Sequence, residues 1–232
     1  MYGILKKKYG QNFLIDKNIL NKISKLISNE SLKIIEIGPG DGRLSEFILK
    51  RNPKNLTLIE IDHDLISSLN SKFFTFKNVK ILNKDILKHE LNESVDLIIS
   101  NLPYNISSQI LVKICLLQKL PNKLIFMFQK EFANRLIDKK LNSLNSLVNC
   151  FYNIDYNFNV SKQSFRPIPK VESSVLSFSK KSKVLLNDCE IKNFIEFKRN
   201  LFSYKRKKIG KILKNYNLKN EIVDVNERVE NL

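Results

Sequence analysis

Three stretches of the sequence combine residue types and spacings that chemistry can use. Glu36-Ile37-Gly38-Pro39-Gly40-Asp41-Gly42 follows a short apolar run and precedes an amphipathic one. Glycines there let the backbone turn sharply and approach a ligand without a Cβ in the way. Glu60 and Asp85 close the next two apolar runs. A carboxylate at the first place can accept from both hydroxyls of a ribose, and one at the second from an adenine amino group. Asn101-Leu102-Pro103-Tyr104 closes a fourth run. The Asn101 side-chain oxygen and a neighbouring carbonyl, that of Leu102, are two acceptors able to take both hydrogens of an exocyclic amine. Pro103 stiffens the turn, and the Tyr104 ring can stack on a base. An aromatic amine is a weak nucleophile because its lone pair is delocalised. Accepting its two N–H groups holds it in place and favours the more tetrahedral nitrogen of a transition state.

A glycine loop followed by an acid about twenty residues later also serves dinucleotide enzymes. That pattern needs a third glycine where this chain has Arg43. The GxGxG spacing, with acids ending the next two strands, instead resembles the class I methyltransferases that use S-adenosylmethionine. Asn101–Tyr104 likewise resembles the (Asn/Asp)-x-Pro-Tyr motif of amino-group methyltransferases. Phe165, in Phe165-Arg166-Pro167, stands where related enzymes place a ring on the opposite face of an extruded base. Transfer of a methyl group from a sulfonium needs neither metal nor covalent intermediate, so no metal site is expected. His63, His89, Cys115, Cys150 and Cys189 show no ligand spacing. Three separated cysteines without CxxC suit a reduced compartment.

These residues need a scaffold that brings strand ends together. Lys33–Gly38, Leu56–Asp62, Val79–Asp85, Val95–Asn101 and Lys123–Gln129 read as strands, short and almost continuously apolar as in parallel sheets covered on both faces. Residues 154–160 and 173–178 read as an antiparallel edge. Helical spacing covers Arg43–Arg51, Asp64–Phe73 and Ser107–Gln118, with Asp64 and Ser107 as N-caps. The alternation predicts an open α/β sheet, Rossmann-like, mostly parallel and seven-stranded, with ligands at the carboxyl ends of its strands. From residue 179 the pattern changes to lysine-rich helices over 191–202 and 205–216. We therefore expect a catalytic domain over residues 1–180 and a small basic helical domain over 181–232.

The 232 residues include 40 Lys and Arg against 23 Asp and Glu, a formal charge of +17. That points to a polyanionic partner, although a lysine-rich composition alone produces the same number. The apolar fraction of 43% is that of a globular chain, and no apolar run approaches membrane-spanning length. Met1–Lys8 is basic but leads into no apolar signal region, so a cytoplasmic location is expected.

Tyr9-Gly10-Gln11-Asn12-Phe13-Leu14, Glu36–Gly42, Asn101–Tyr104, Gln129-Lys130-Glu131 and residues 165–174 (FRPIPKVESS) stand in the order of a known family. Together they resemble the KsgA type of ribosomal RNA adenine dimethyltransferase over most of the chain. The resemblance implies transfer of methyl groups to N6 of two adjacent adenines near the 3′ end of small-subunit RNA, on an assembling particle; the protein itself is expected to be a monomer. It implies cofactor contacts from Asn12 and Leu14 beside Gly38, Gly40, Glu60, Asp85 and Asn101. Lys205-Arg206-Lys207-Lys208 would contact phosphates. Two departures stand out: Glu172 replaces a usual Asp, and the C-terminal region is short. An Erm-like enzyme acting on large-subunit RNA shares the fold and reaction, but the GQNFL opening and FRPIPKVESS favour the small-subunit type. A non-catalytic RNA-binding factor on this fold would be expected to lose cofactor or amine-site residues, all of which are present.

Overall fold

The computed structural model describes residues 12–27, 31–216 and 224–232. Seven strands form one sheet: β2 (Lys33–Ile37), β3 (Asn55–Glu60), β4 (Val79–Asn83), β5 (Leu97–Asn101), β6 (Lys123–Gln129), β7 (Tyr152–Val160) and β9 (Ser173–Lys180). Their spatial order is β4-β3-β2-β5-β6-β9-β7. All pairings are parallel except those of β9, which runs antiparallel to both neighbours. The chain steps outward from β2 to β4, then returns to β5 on β2's other side. That reversal opens a crevice at the carboxyl ends of β2 and β5, the place where open α/β sheets bind ligands.

The period-two alternation of each strand divides the core between the two faces of the sheet. Ile35, Ile98, Leu124, Phe126 and Phe128 pack on one face, with α4 (Ser107–Cys115), α5 (Lys130–Ile137) and α6 (Asn145–Phe151). Ile34, Leu97, Ile99, Ile125 and Met127 pack on the other, with α1 (Lys17–Lys25), α2 (Arg43–Leu49) and α3 (His63–Phe73). Both faces are covered, which is why these strands read as unbroken apolar runs.

Two capping assignments change. Asp62, not Asp64, caps α3 by accepting from the Asp64 N–H at 3.3 Å. Ser107 lies inside the first turn of α4, and its hydroxyl donates back to the Pro103 carbonyl at 3.1 Å. Helices α1, α5 and α6 lie outside the segments where the sequence predicts helix. Helix α1 begins at Asp16, whose carboxylate accepts from the Asn18 and Ile19 N–H groups.

A second, two-stranded ladder pairs β1 (Phe13–Leu14) with β8 (Phe165–Arg166), antiparallel, with Leu14 opposite Phe165. The Ser164 hydroxyl donates to Asp16 at 3.1 Å beside it. This ladder brings the N-terminal segment, 148 residues away in sequence from Ser164, onto the open end of the sheet.

Beyond β9, Val184, Leu186, Ile191 and Phe194 still pack on the main core. Helix α7 (Asp188–Ser203) opens with a capping box between Asn187 and Glu190 and leads to α8 (Ile209–Leu213). Leu201, Ile209, Ile212, Leu213 and Val229 form a small core of their own. This part is tied back by Lys198, whose buried ammonium donates to the Ser143 carbonyl at 2.6 Å, and by the Leu232 carbonyl, which accepts from the Leu141 N–H at 2.9 Å. No helix of the described residues is long and apolar enough to cross a membrane.

Candidate active site

One cleft at the carboxyl ends of β2, β3 and β5 gathers most of the expected residues. Asn12, Leu14, Gly38, Gly40, Glu60 and Asp85 line it, as do Asn101, Leu102, Pro103 and Tyr104. Gly38, Gly40 and Gly42 all have positive φ, which explains the glycines at a sharp strand-to-helix turn. At Gly40 a Cβ would lie 2.8 Å from the Phe13 ring, so the N-terminal segment packs on the loop where a side chain would intrude.

The buried Glu60 carboxylate closes the same turn, accepting from the Asp62 N–H at 2.9 Å and the Gly40 N–H at 3.1 Å. Burial raises its pKa, and the Asp62 and Gly40 N–H groups oppose that rise. Each carboxylate oxygen has a further lone pair, so Glu60 can also accept from a ligand hydroxyl. Asp85 sits two residues beyond β4, where its Oδ1 takes the Leu87 N–H at 2.9 Å and orients the group at the cleft wall.

Sequence reasoning placed Glu36 in the glycine-loop motif but gave it no role; it is 1% exposed and faces α2, where the Ser45 hydroxyl donates to it at 2.5 Å. Burial pushes its carboxyl up from 4.5 to about 8, with Glu60 and Asp41 adding to the rise and the Ser45 hydroxyl and Lys72 opposing it. A glutamate inside the run KIIEI was a visible signal, since a charge seldom enters a doubly covered strand without a purpose.

At the end of β5 the amine-site loop is fixed on several sides. Ser100 Oγ donates to the Ile37 carbonyl across the switch point at 2.5 Å. Asn101 Nδ2 donates to the backbone carbonyl of Asn12 at 2.9 Å. A carbonyl can only accept, so this bond turns the Asn101 Oδ1 the other way, where it can accept. The Pro103 carbonyl is taken by the Ile106 N–H and the Ser107 hydroxyl. The Leu102 carbonyl, next to Asn101, takes neither of those two donors. The Tyr104 and Ser173 hydroxyls lie 2.7 Å apart, and burial raises the Tyr104 pKa. Neither the Asn12 contact nor the Ser173 contact has a sequence signature, because 89 and 69 residues separate the partners.

Phe165 requires a correction. It does not line the cleft; its side chain is 0% exposed and packs with Leu14, Leu20 and Val160 in the core. The short β1–β8 ladder explains this, because alternation turns Phe165 inward and Arg166 out to solvent. The ring therefore holds the N-terminal segment on the sheet instead of presenting a stacking face. Of the GQNFL motif, Asn12, Phe13 and Leu14 are described, and Gly10 and Gln11 lie outside the described residues. Among the described residues no cluster of His, Cys, Asp or Glu could hold a metal ion.

A sheet of this order, with a positive-φ glycine loop and strand-end carboxylates around one cleft, defines a class I S-adenosylmethionine-dependent methyltransferase. The glycine turn leaves backbone room that a Cβ would fill, and the acids match the hydroxyls and amine of an adenosine, so the residues fit that cofactor. The comparisons with known proteins narrow the class. The family model for ribosomal RNA adenine dimethylase matches residues 4–231. "Ribosomal RNA small subunit methyltransferase A" of Mycoplasmopsis pulmonis is 39% identical, covering 98% of this chain and 94% of its own. The protein of that name from Hydrogenobaculum sp. is 41% identical, covering 90% and 83%. Among solved structures, a dimethyladenosine transferase from Plasmodium falciparum superposes with a TM-score of 0.79 at 30% identity, covering 87% of this chain and 74% of that one. The 23S ribosomal RNA methyltransferase ErmE shares the fold, with a TM-score of 0.71 at 23% identity over 94% and 96% of the two chains. The chain belongs to the ribosomal RNA adenine dimethylase family.

Proposed function

We propose that the protein dimethylates N6 of two adjacent adenines in a hairpin near the 3′ end of small-subunit ribosomal RNA, on an assembling subunit and as a monomer. The observation that carries the reading is the fixed Asn101 amide, with Nδ2 held by the Asn12 carbonyl and Oδ1 turned away to accept. Asn101 Oδ1 and the Leu102 carbonyl accept the two amine hydrogens, holding the nitrogen in the orientation it needs for attack. The Tyr104 ring stacks on the extruded adenine. Gly38, Gly40, Glu60 and Asp85, with Asn12 and Leu14 from the N-terminal segment, hold the adenosine part of S-adenosylmethionine. When bound, that cofactor supplies an electrophilic methyl group on a sulfonium. Relatives named for the small subunit at about 40% identity favour that RNA over the large-subunit target.

We further propose that residues 1–180 form the catalytic unit and residues 181–232 a basic docking unit. Arg206, Lys207, Lys208, Lys211 and Arg228 surround one surface hollow. Cations so grouped suit the phosphates of folded RNA.

The test is transfer of labelled methyl groups to unmethylated small ribosomal subunits, with large subunits in parallel, followed by nucleoside analysis. Dimethyladenosine in small-subunit RNA, abolished by Asn101→Ala, is the expected result. Label confined to large-subunit RNA would overturn the target. Tight particle binding with no transfer would replace the catalyst with a binding factor.

A further inference from the structure

Tyr104 stands on the loop between β5 and α4, whereas Ser173 is the first residue of β9. The two places differ in rigidity. Ser173 is fully buried, and its backbone lies between two ladders, opposite Gln129 of β6 and Val160 of β7. The residue before it is fastened as well, since the Glu172 carbonyl accepts from the Lys130 N–H at 2.9 Å and the two side chains form an ion pair at 2.8 Å. Tyr104 has no ladder to hold it. Its phenol meets the Ser173 hydroxyl at 2.7 Å, so the far end of the ring is anchored to the sheet while its near end rides on the loop.

A ring on a loop turns about two side-chain torsions, and a hydrogen bond at the phenol tip fixes the first, the one that swings the whole ring, because the oxygen lies on the axis of the second. A buried serine hydroxyl in turn needs a partner, and the phenol supplies it. We infer that Ser173 is a positioning residue for methyl transfer: its hydroxyl, fixed in the sheet, sets the direction in which the Tyr104 ring points, and so the place of the face against which the target base lies. This inference rests on the reading of Tyr104 as the stacking surface. It gives the FRPIPKVESS segment a second task, apart from Phe165. Phe165 secures the N-terminal segment, and Ser173 secures the ring beside the amine acceptors.

The consequence falls on the chemical step and not on cofactor binding, because Ser173 does not line the cleft. The test compares Ser173→Ala, Tyr104→Phe, the double variant and Tyr104→Ala. Each is assayed for kcat and KM on unmethylated small subunits, for S-adenosylhomocysteine affinity by calorimetry, and for thermal midpoint. A misaligned reacting group costs rate steeply, so Ser173→Ala and Tyr104→Phe should each lower kcat roughly tenfold. KM and cofactor affinity should stay unchanged. Both single variants break the same bond, so the double variant should be no slower than either. Wild-type kcat in both single variants, with Tyr104→Ala inactive, would overturn the role of Ser173 while sparing the stacking reading. Wild-type kcat in Tyr104→Ala would overturn the stacking reading itself. Losses that multiply in the double variant would refute the shared bond. A fall in cofactor affinity or thermal midpoint that parallels the loss of rate would reduce Ser173 to a structural residue.

Discussion

Replacing Glu36 by Gln should invert the protein's response to alkali. The carboxyl is 1% exposed, and burial raises its pKa from 4.5 to about 8. Each pH unit of displacement is worth about 1.4 kcal/mol, so the proton on Glu36 couples to folding by roughly 5 kcal/mol. The sign follows from where the proton resides. Between 4.5 and about 8 the folded chain keeps a proton that the unfolded chain has lost, so stability falls as pH rises through that window. Gln has no such linkage, although it buries an amide NH2 whose unmet hydrogen bonds cost about 1–3 kcal/mol at every pH. The Ser45 hydroxyl can still donate to the amide oxygen. The two stability curves should therefore cross, with the variant weaker by about 1–3 kcal/mol near pH 4.5 and stronger by roughly 2–4 kcal/mol above pH 8. Urea denaturation of the cofactor-free protein from acid to mild alkali measures both curves. Parallel curves would refute the reasoning, because they would mean Glu36 ionises as readily folded as unfolded. Glu36 also lines the cofactor cleft. A cationic ligand there would pull its pKa down again, so binding at neutral pH should release a proton, detectable as a buffer-dependent binding enthalpy.

Gly40→Ala would place a methyl group 2.8 Å from the Phe13 ring at a φ of +61°. If the loop shifts to relieve strain of about 1–3 kcal/mol, S-adenosylhomocysteine binding should weaken by about 5- to 150-fold by calorimetry, and unchanged affinity would contradict the cradle. Phe165→Ala should cost about 3–5 kcal/mol in chemical denaturation, as expected for a fully buried ring. Phe165→Leu should keep most of the transfer activity, because the ring acts by packing; inactive but stable Phe165→Leu would restore a stacking role. Lys198→Ala removes a bond to the Ser143 carbonyl worth about 1.5–3 kcal/mol. Hydrogen exchange should then quicken in α7 and the loop before α6 while the sheet keeps its protection, and uniform exchange would show that Lys198 does not tie the two parts.

The chain's own residues determined the frame. Apolar runs of five to seven residues at β2, β3, β5 and β6 were legible because strands covered on both faces tolerate little else. The glycine loop, Glu60 and Asn101–Tyr104 were legible because each sits at the end of such a run, and Asp85 because it lies just past β4; strand ends converge in an open α/β sheet whatever the details. Helices α1, α5 and α6 were harder to see, since short amphipathic segments acquire their stability from the face they cover and not from propensity. Only the tertiary structure could decide the contacts between distant segments. The Asn12 carbonyl that turns the Asn101 amide, the Ser173 hydroxyl that meets Tyr104, and the Ser45 hydroxyl that faces Glu36 all come from chain folded back on itself. The same holds for Phe165. The resemblance to related enzymes implied a stacking ring, but pairing with Leu14 turns it into the core. Spacing along the chain encodes which residues reach a strand end, whereas the direction of a side chain depends on a partner strand that the local sequence does not specify.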